Sequence, residues 1–400
     1  MLAPVTKALW PSTIQPFSLR RTVVASLPPR ANDPRRGSSR AALRSTGRVA
    51  DSRRTCSYTR IELDRAIHSA QLLESSAFEK TIVVNASFAL DPFVLGATIA
   101  QHTSTLQTII ALRPTTIEPI AAAKAYATID QIAGGRTQAH LIAGRDQDTA
   151  REGDLSSKDA RYRRMGEFIE VMRRAWTAEE NFDHEGEFYR LCDYSPRVKA
   201  ASGDAIPVSV GGSSEAAYRI GVEHADTFGL FAEPFADIQE QLTRLDALAT
   251  SVGRTEPLDL MLDVRLIIAP TDDLAWEKAH RILNVTVAHR AGGRSGGAVE
   301  KSADVSDAAA SQRILRIGER EELHDRVLWT RLAQATGAFG SSAVLVGSYE
   351  RVAQALAQYY RMGFTTLSLR GYEGITDVVE QGQYLLPRVR ELTAGASASV

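Results

Sequence analysis

Cysteine is almost absent from these 400 residues: only Cys56 and Cys192 occur, and neither sits in a Cys-x-x-Cys spacing. That argues against a disulfide framework or a zinc knuckle and suits a reducing compartment; no metal is expected. Long apolar runs are also lacking. No stretch approaches the roughly 18–20 residues needed to span a bilayer, and the first thirty residues show no continuous apolar core of a secretory signal. The formal net charge is -1, so the overall balance calls for neither a nucleic-acid nor a membrane partner.

Acidic side chains are missing from one end. Residues 1–60 carry twelve Lys/Arg, eleven of them Arg, against Asp33 and Asp51 alone. The remainder then holds 35 basic and 46 acidic residues, a balance of -11 that suits a cytoplasmic enzyme. Residues 1–55 are rich in Arg, Ser and Pro and read as a largely disordered segment, with a mitochondrial transit peptide as the functional alternative to a solvated tail. One piece of it, Thr22–Ser26, has the composition of a first strand.

From Tyr58 a regular alternation begins. Short apolar runs at 81–84, 106–112, 138–143, 206–210, 226–231, 258–268 and 365–369 read as strands. Between them, helical patterns cover 92–102, 119–131, 158–176, 235–250, 274–283, 349–362 and 375–390, and a shorter one runs from Ser214 to about Val222. Residues 177–204 read as a polar connection, and 285–340, with Gly, Ser and Ala but no clean period, as an insertion. Strands of five to seven residues alternating with helices mean parallel βαβ units. Counting Thr22–Ser26 gives eight strands, which fits a (β/α)₈ TIM barrel of the α/β class over residues 56–393; without it there are seven. No Gly-x-Gly-x-x-Gly opens a helix, which argues against an open dinucleotide-binding sheet.

In a barrel of this type functional residues gather where strands end. The sharpest candidate is Gly211-Gly212-Ser213-Ser214, between a strand and a helix. Two glycines let backbone N–H groups approach an anion, and the hydroxyls and the first helical turn add donors. A serine N-cap after a tight turn explains the same residues without any ligand. His140 ends a strand before Gly144, although a lone strand histidine is more often structural. Tyr162 lies in a basic helix start whose plain reading is a solvated face. Arg370 and Tyr372 follow the last strand. No pair of carboxylates, His-x-x-x-His spacing or Gly-x-Ser-x-Gly elbow rises above chance. Physics alone thus reaches a barrel enzyme with a phosphate-bearing ligand.

The run from Ile110 to Arg136, containing Arg113-Pro114 and Gly134-Gly135-Arg136, resembles a signature of the bacterial-luciferase-like flavin-dependent monooxygenases, closest to the FMNH₂-dependent alkanesulfonate monooxygenases. So do Leu141–Gly144, Glu152–Asp154, Arg161–Arg163, Phe182–Tyr189, Val210–Ser214, Val344–Gly347 and Leu369–Tyr372. The blocks keep the family order over roughly residues 58–390. The resemblance implies a luciferase-like barrel that receives reduced FMN from a separate NAD(P)H-dependent flavin reductase. It also implies O₂ addition at the flavin C4a position, oxygenation of a small substrate by the peroxyflavin, and a homo-oligomer. By family position, Gly211, Gly212, Ser213 and Ser214 with Tyr162 hold the FMN phosphate, and His140 and Gly144 line the flavin pocket. Tyr372, Arg265 and His140 are the expected catalytic residues, and Asn85, Arg113 and Arg370 the substrate-binding ones.

Three departures bear on the substrate. Asn85–Asp91 stands where the sulfonate enzymes carry a cysteine, Asp263 and Arg265 where they carry Arg and His, and Ala338-Phe339 where they carry an arginine. A sulfonate needs paired donors, so a plain alkanesulfonate is disfavoured and the class is left at a small organosulfur compound, such as a sulfonate or sulfone. Deazaflavin-dependent hydride transfer on the same fold and a degenerate, non-catalytic barrel are the alternatives.

Overall fold

Parallel pairing organises this chain, whose computed structural model describes residues 22–26, 63–87, 89–291, 308–338 and 343–394. The readings placed on residues 1–21 and 27–62 and on Phe339 lie outside the described residues. Eight parallel strands alternate with helices: β1 (Thr22–Ser26), β2 (Lys80–Val83), β3 (Gln107–Leu112), β4 (Thr137–Leu141), β5 (Val208–Gly211), β6 (Thr227–Phe231), β7 (Asp259–Ala269) and β8 (Phe364–Arg370). Each pairs in parallel with its successor, and β8 pairs with β1, so the ladder passes round all eight. The Thr22–Ser26 segment supplies the first strand, with Val24 opposite Lys80 and Thr22 opposite Thr366. The fold is the expected TIM-barrel-like one, and the C-terminal strand ends form one rim.

The helices begin where the sequence supplies caps. Asp91 accepts the Val94 N–H at 2.9 Å with Pro92 in the first helical position, and Ser157, Ser214 and Ser348 cap the helices Lys158–Thr177, Glu215–His224 and Tyr349–Arg361 in the same way. Each hydroxyl or carboxylate satisfies an N–H that the helix leaves without a partner. Gly134 ends helix Pro119–Ala133 in the left-handed region at φ 64°, a conformation glycine adopts without steric cost. The helices pack their apolar faces on the outside of the strands, with Phe168, Met172, Trp176, Tyr126, Ile110 and Phe228 in one continuous core.

Five features differ from the expectation. Val344–Ser348 is a strand that pairs in parallel with the outer half of β7, from Val344 opposite Arg265 to Ser348 opposite Ala269. Eleven residues of β7 thereby serve two sets of neighbours. The polar connection contains a hairpin, Phe182–Glu185 with Arg190–Tyr194, pinned by Glu167, whose carboxylate accepts the N–H groups of Phe188 and Tyr189 at 2.9 and 2.8 Å. The helix expected over 274–283 runs on to Ala291, and the insertion folds an arm: helix Ala309–Arg320, a small antiparallel pair (Leu323–His324 with Leu328–Trp329) and helix Arg331–Thr336. The last helix is split by a π turn at Gln381–Leu385, next to Pro387, which has no N–H to continue the α pattern.

The arm grips one loop of the barrel. Arg313 meets the buried Glu233 carboxylate at 2.8–3.2 Å, Arg320 meets Asp237 at 2.7–2.8 Å, and the Phe235 N–H donates to Asp325 at 2.8 Å. No helix among the described residues is long and apolar enough to cross a membrane.

Gly221 offers a test of helix–sheet packing. A methyl group there would stand 2.2 Å from Cδ2 of the buried Phe228 ring. Gly→Ala inside a helix ordinarily stabilises by about 1 kcal/mol, whereas overpacking costs roughly 1–3 kcal/mol. Gly221→Ala should therefore lower Tm by several degrees, measured by circular dichroism; a raised Tm would show that the ring yields freely.

Candidate functional site

Strand alternation places β4 and β7 residues inside the ring. His140 and Ser209 are register partners on β4 and β5, and the His140 Nδ1 lies 2.9 Å from Ser209 Oγ. Ser209 spends its only proton on the Ala139 carbonyl at 3.0 Å, so toward the imidazole it must accept. That assigns the proton to Nδ1 and leaves Nε2 as an acceptor. Burial pushes the His140 pKa down to about 4, against a modest upward pull from Asp263. β4 and β7 are not neighbours in the ladder, so that pull acts across the interior.

Asp263 organises the β7–β8 side. It forms an ion pair with Arg370 and accepts the Ser368 hydroxyl at 3.2 Å. Arg370 stands opposite Arg265 in the register. Burial, and then the charge of Arg370, push the Arg265 guanidinium below its ordinary pKa. Arg265 lies over the Tyr372 ring, 5.2 Å from its centroid, a cation–π contact that strengthens when water is excluded. The Tyr372 hydroxyl is buried and meets no hydrogen-bond partner. Such groups are rare; here the orphan sits at the strand ends beside two guanidinium groups. Burial raises the Tyr372 pKa, so the phenol stays protonated.

A second cluster follows β5. Gly212 has φ 150°, and a methyl group there would come within 2.8 Å of Ala217 Cβ and 3.3 Å of the Tyr162 hydroxyl. Tyr162 is buried and hydrogen-bonded to Ser214, with burial raising its pKa. Ser214 also accepts the Ala217 N–H at 3.2 Å as the N-cap. Below it, the Tyr218 hydroxyl donates to Gln241 at 2.6 Å, and Gln241 donates to Glu233 at 2.8 Å. The capping reading is therefore real, and the turn is still shaped as an anion cradle: a glycine that tolerates no side chain, flanked by three hydroxyls and a helix start.

The structure brings Arg265, Arg370 and Tyr372 together, with His140 reached only through the charge of Asp263, and it brings Gly211, Gly212, Ser213, Ser214 and Tyr162 together. Arg113, directly after β3, is buried and paired. It is 2% exposed, bound to Glu152, and its side chain packs where a Gly144 methyl group would stand, 2.9 Å from Arg113 Cδ. Gly144, at φ 77°, thus makes room for that buried arginine. Asn85, two residues beyond β2, is half-buried. Sequence reasoning missed Asp263 as the counter-charge, although its spacing of two from Arg265 puts both on one face of a strand, and it missed Ser209. A cavity of about 330 Å³ lined by Lys80, Gln107, Gln138, Arg173, Asp226 and Asp259 lies at the strand starts, the end of a barrel that ordinarily serves stability. No group of residues able to hold a metal ion occurs among the described residues.

The depressed histidine makes a pH test. Between about pH 6.5 and pH 4 the unfolded chain takes up a proton at His140 that the folded chain refuses. Stability from this group is complete above pH 6.5 and falls away as the pH drops toward 4. His140→Gln should flatten that part of the Tm-against-pH curve; parallel curves for the two proteins would refute the burial of a neutral imidazole.

A sequence model of the luciferase-like monooxygenase family matches residues 38–366. Among solved structures, the fold is similar to a riboflavin lyase crystallised with modified FMN and riboflavin, with a TM-score of 0.66 at 20% identity over 84% of this chain and 86% of that one. It is also similar to the EDTA monooxygenase of Chelativorans sp. BNC1, with a TM-score of 0.65 at 16% identity over 85% and 90%. The coenzyme F420-dependent tetrahydromethanopterin reductase of Methanopyrus kandleri follows, with a TM-score of 0.61 at 16% identity over 82% and 96%.

Proposed function

The chain belongs to the luciferase-like monooxygenase family, and from that premise we propose that it is a two-component monooxygenase. In this reading it takes reduced FMN from a separate NAD(P)H-dependent flavin reductase and oxygenates a small organic substrate with O₂. The observation that carries the cofactor is the Gly211–Ser214 turn, where a side-chain-free Gly212 faces the Tyr162 hydroxyl beside the start of a helix. A phosphate monoester suits that set: backbone N–H groups, hydroxyl donors and the positive end of the helix dipole.

Reduced FMN, when bound, supplies the activation of O₂. The chain's own residues orient it and keep water out. His140, its pKa lowered by burial, would line the flavin site as a neutral imidazole. Tyr372, protonated and without an internal partner, offers a hydroxyl proton to a substrate oxygen. Arg265 and Arg370 beside Asp263 present guanidinium donors there, which favours a substrate rich in acceptor oxygens, a sulfonate or sulfone among them.

One observation favours a second reading. The similarity to the F420-dependent reductase covers nearly all of that protein, and a deazaflavin that transfers hydride would use the same phosphate cradle. Anaerobic titration with reduced FMN and, separately, reduced F420 decides between them. Saturable binding of reduced FMN is expected; binding of F420 alone would replace oxygenation by hydride transfer.

Ser214→Asp tests the cradle itself. Aspartate caps a helix as well as serine does, so Tm should hold, while its charge would face the phosphate. Affinity for reduced FMN should fall at least ten-fold with riboflavin affinity unchanged. Equal FMN affinity in the variant would sink the phosphate assignment.

A further inference from the structure

The Tyr372 ring does not reach its place through its own packing alone. Immediately after β8 the chain turns through Gly371, and the buried Asp377 receives it: one carboxylate oxygen, Oδ2, accepts the backbone N–H groups of both Tyr372 and Glu373 at 2.5 Å. Asp377 is 3% exposed. A methyl group on Gly371 would lie 2.0 Å from that oxygen, so position 371 admits only glycine while the carboxylate is in place. The other oxygen, Oδ1, meets Lys278 Nζ at 3.1 Å. Lys278, itself 11% exposed, also meets Glu373 at 3.2 Å and Glu380 at 3.3 Å, and Arg281 meets Glu373 at 2.8 Å. Burial alone would lower the Lys278 pKa, yet Asp377, Glu380 and Glu373 hold the ammonium above its ordinary value. The helix that follows β7 therefore fastens the loop that follows β8.

We propose that Asp377, held by Lys278, is a positioning residue: it fixes the backbone of Tyr372 so that the buried hydroxyl stands unpartnered and the ring lies under Arg265. The proposal rests on the reading of Tyr372 as a group that meets substrate. A carboxylate accepting two N–H groups is a stronger and more directional anchor than a neutral acceptor, and small displacements of a reacting group carry large kinetic costs. Neither Asp377 nor Lys278 needs to touch a ligand to act in this way.

The test places 3-fluorotyrosine at position 372 and reads its ¹⁹F resonance in the full chain, with the same label at Tyr194, in the hairpin after helix Lys158–Thr177, as control. Asp377→Asn should move the position-372 line and give it the H₂O/D₂O isotope shift of a solvent-exposed ring, leaving the control line in place. Lys278→Gln, which keeps both N–H bonds, should do the same to a smaller extent and guards against a failure of Asp377→Asn to fold. An unmoved position-372 line in both variants would overturn the positioning role. Single-turnover reoxidation of bound reduced FMN by O₂ separates the two ideas. If Tyr372→Phe changes that rate two-fold or more, adding Asp377→Asn should change it no further, and independent, multiplying effects would overturn the coupling. If Tyr372→Phe leaves the rate untouched but the ¹⁹F line moves, positioning stands and the catalytic reading of Tyr372 falls.

Discussion

Two guanidinium groups side by side in a barrel mouth need a negative charge between strands, and Asp263 supplies it. At an effective dielectric constant of about 20, like charges 4 Å apart repel by roughly 4 kcal/mol. Arg265 and Arg370 are opposite one another in the ladder, so β7 and β8 would resist pairing there without a counter-ion. With Asp263 bound to Arg370 and Ser368, Arg265 can lie over Tyr372, and the field reaching His140 across the interior stays too weak to undo the effect of burial. Removing one partner of this half-buried pair would leave the other charge uncompensated beside a second guanidinium group. The polarity of the mouth is a joint property of these side chains.

Local signals carried the fold a long way. Alternation of short apolar runs with capped helical patterns gave the strand count, including the weak first strand, because each signal lies within a dozen residues. What stayed hidden depends on separation. Asp263 meets Arg370 across 107 positions, Lys278 meets Asp377 across 99, and Arg313 meets Glu233 across 80. No window of periodicity contains both members of such a pair. The arm was unreadable for a related reason: helix Ala309–Arg320 is strongly two-sided, burying Ile314 and Ile317, but the Gly-, Ser- and Ala-rich run before it dilutes any longer window.

The candidate site divides in the same way. Gly211–Ser214 could be read from the sequence because its chemistry is contiguous and its place between strand and helix is local. Arg113 could not, since an arginine after a strand looks the same whether it faces a ligand or is spent on Glu152. Family resemblance carries a residue to a position; only the surroundings say whether that position still opens on the mouth.

Glu233 has a consequence for how such barrels change. Three side-chain contacts that join the arm to the barrel fall on the loop and first helical turn at residues 232–237. That loop is a socket with a buried acid at its base. An acid so placed is costly to leave empty, so any replacement arm must bring a cation to the same point. The arm is thereby fixed at its root by charge, while Leu328–Trp329 ties its other side by backbone hydrogen bonds to the strand Val344–Ser348.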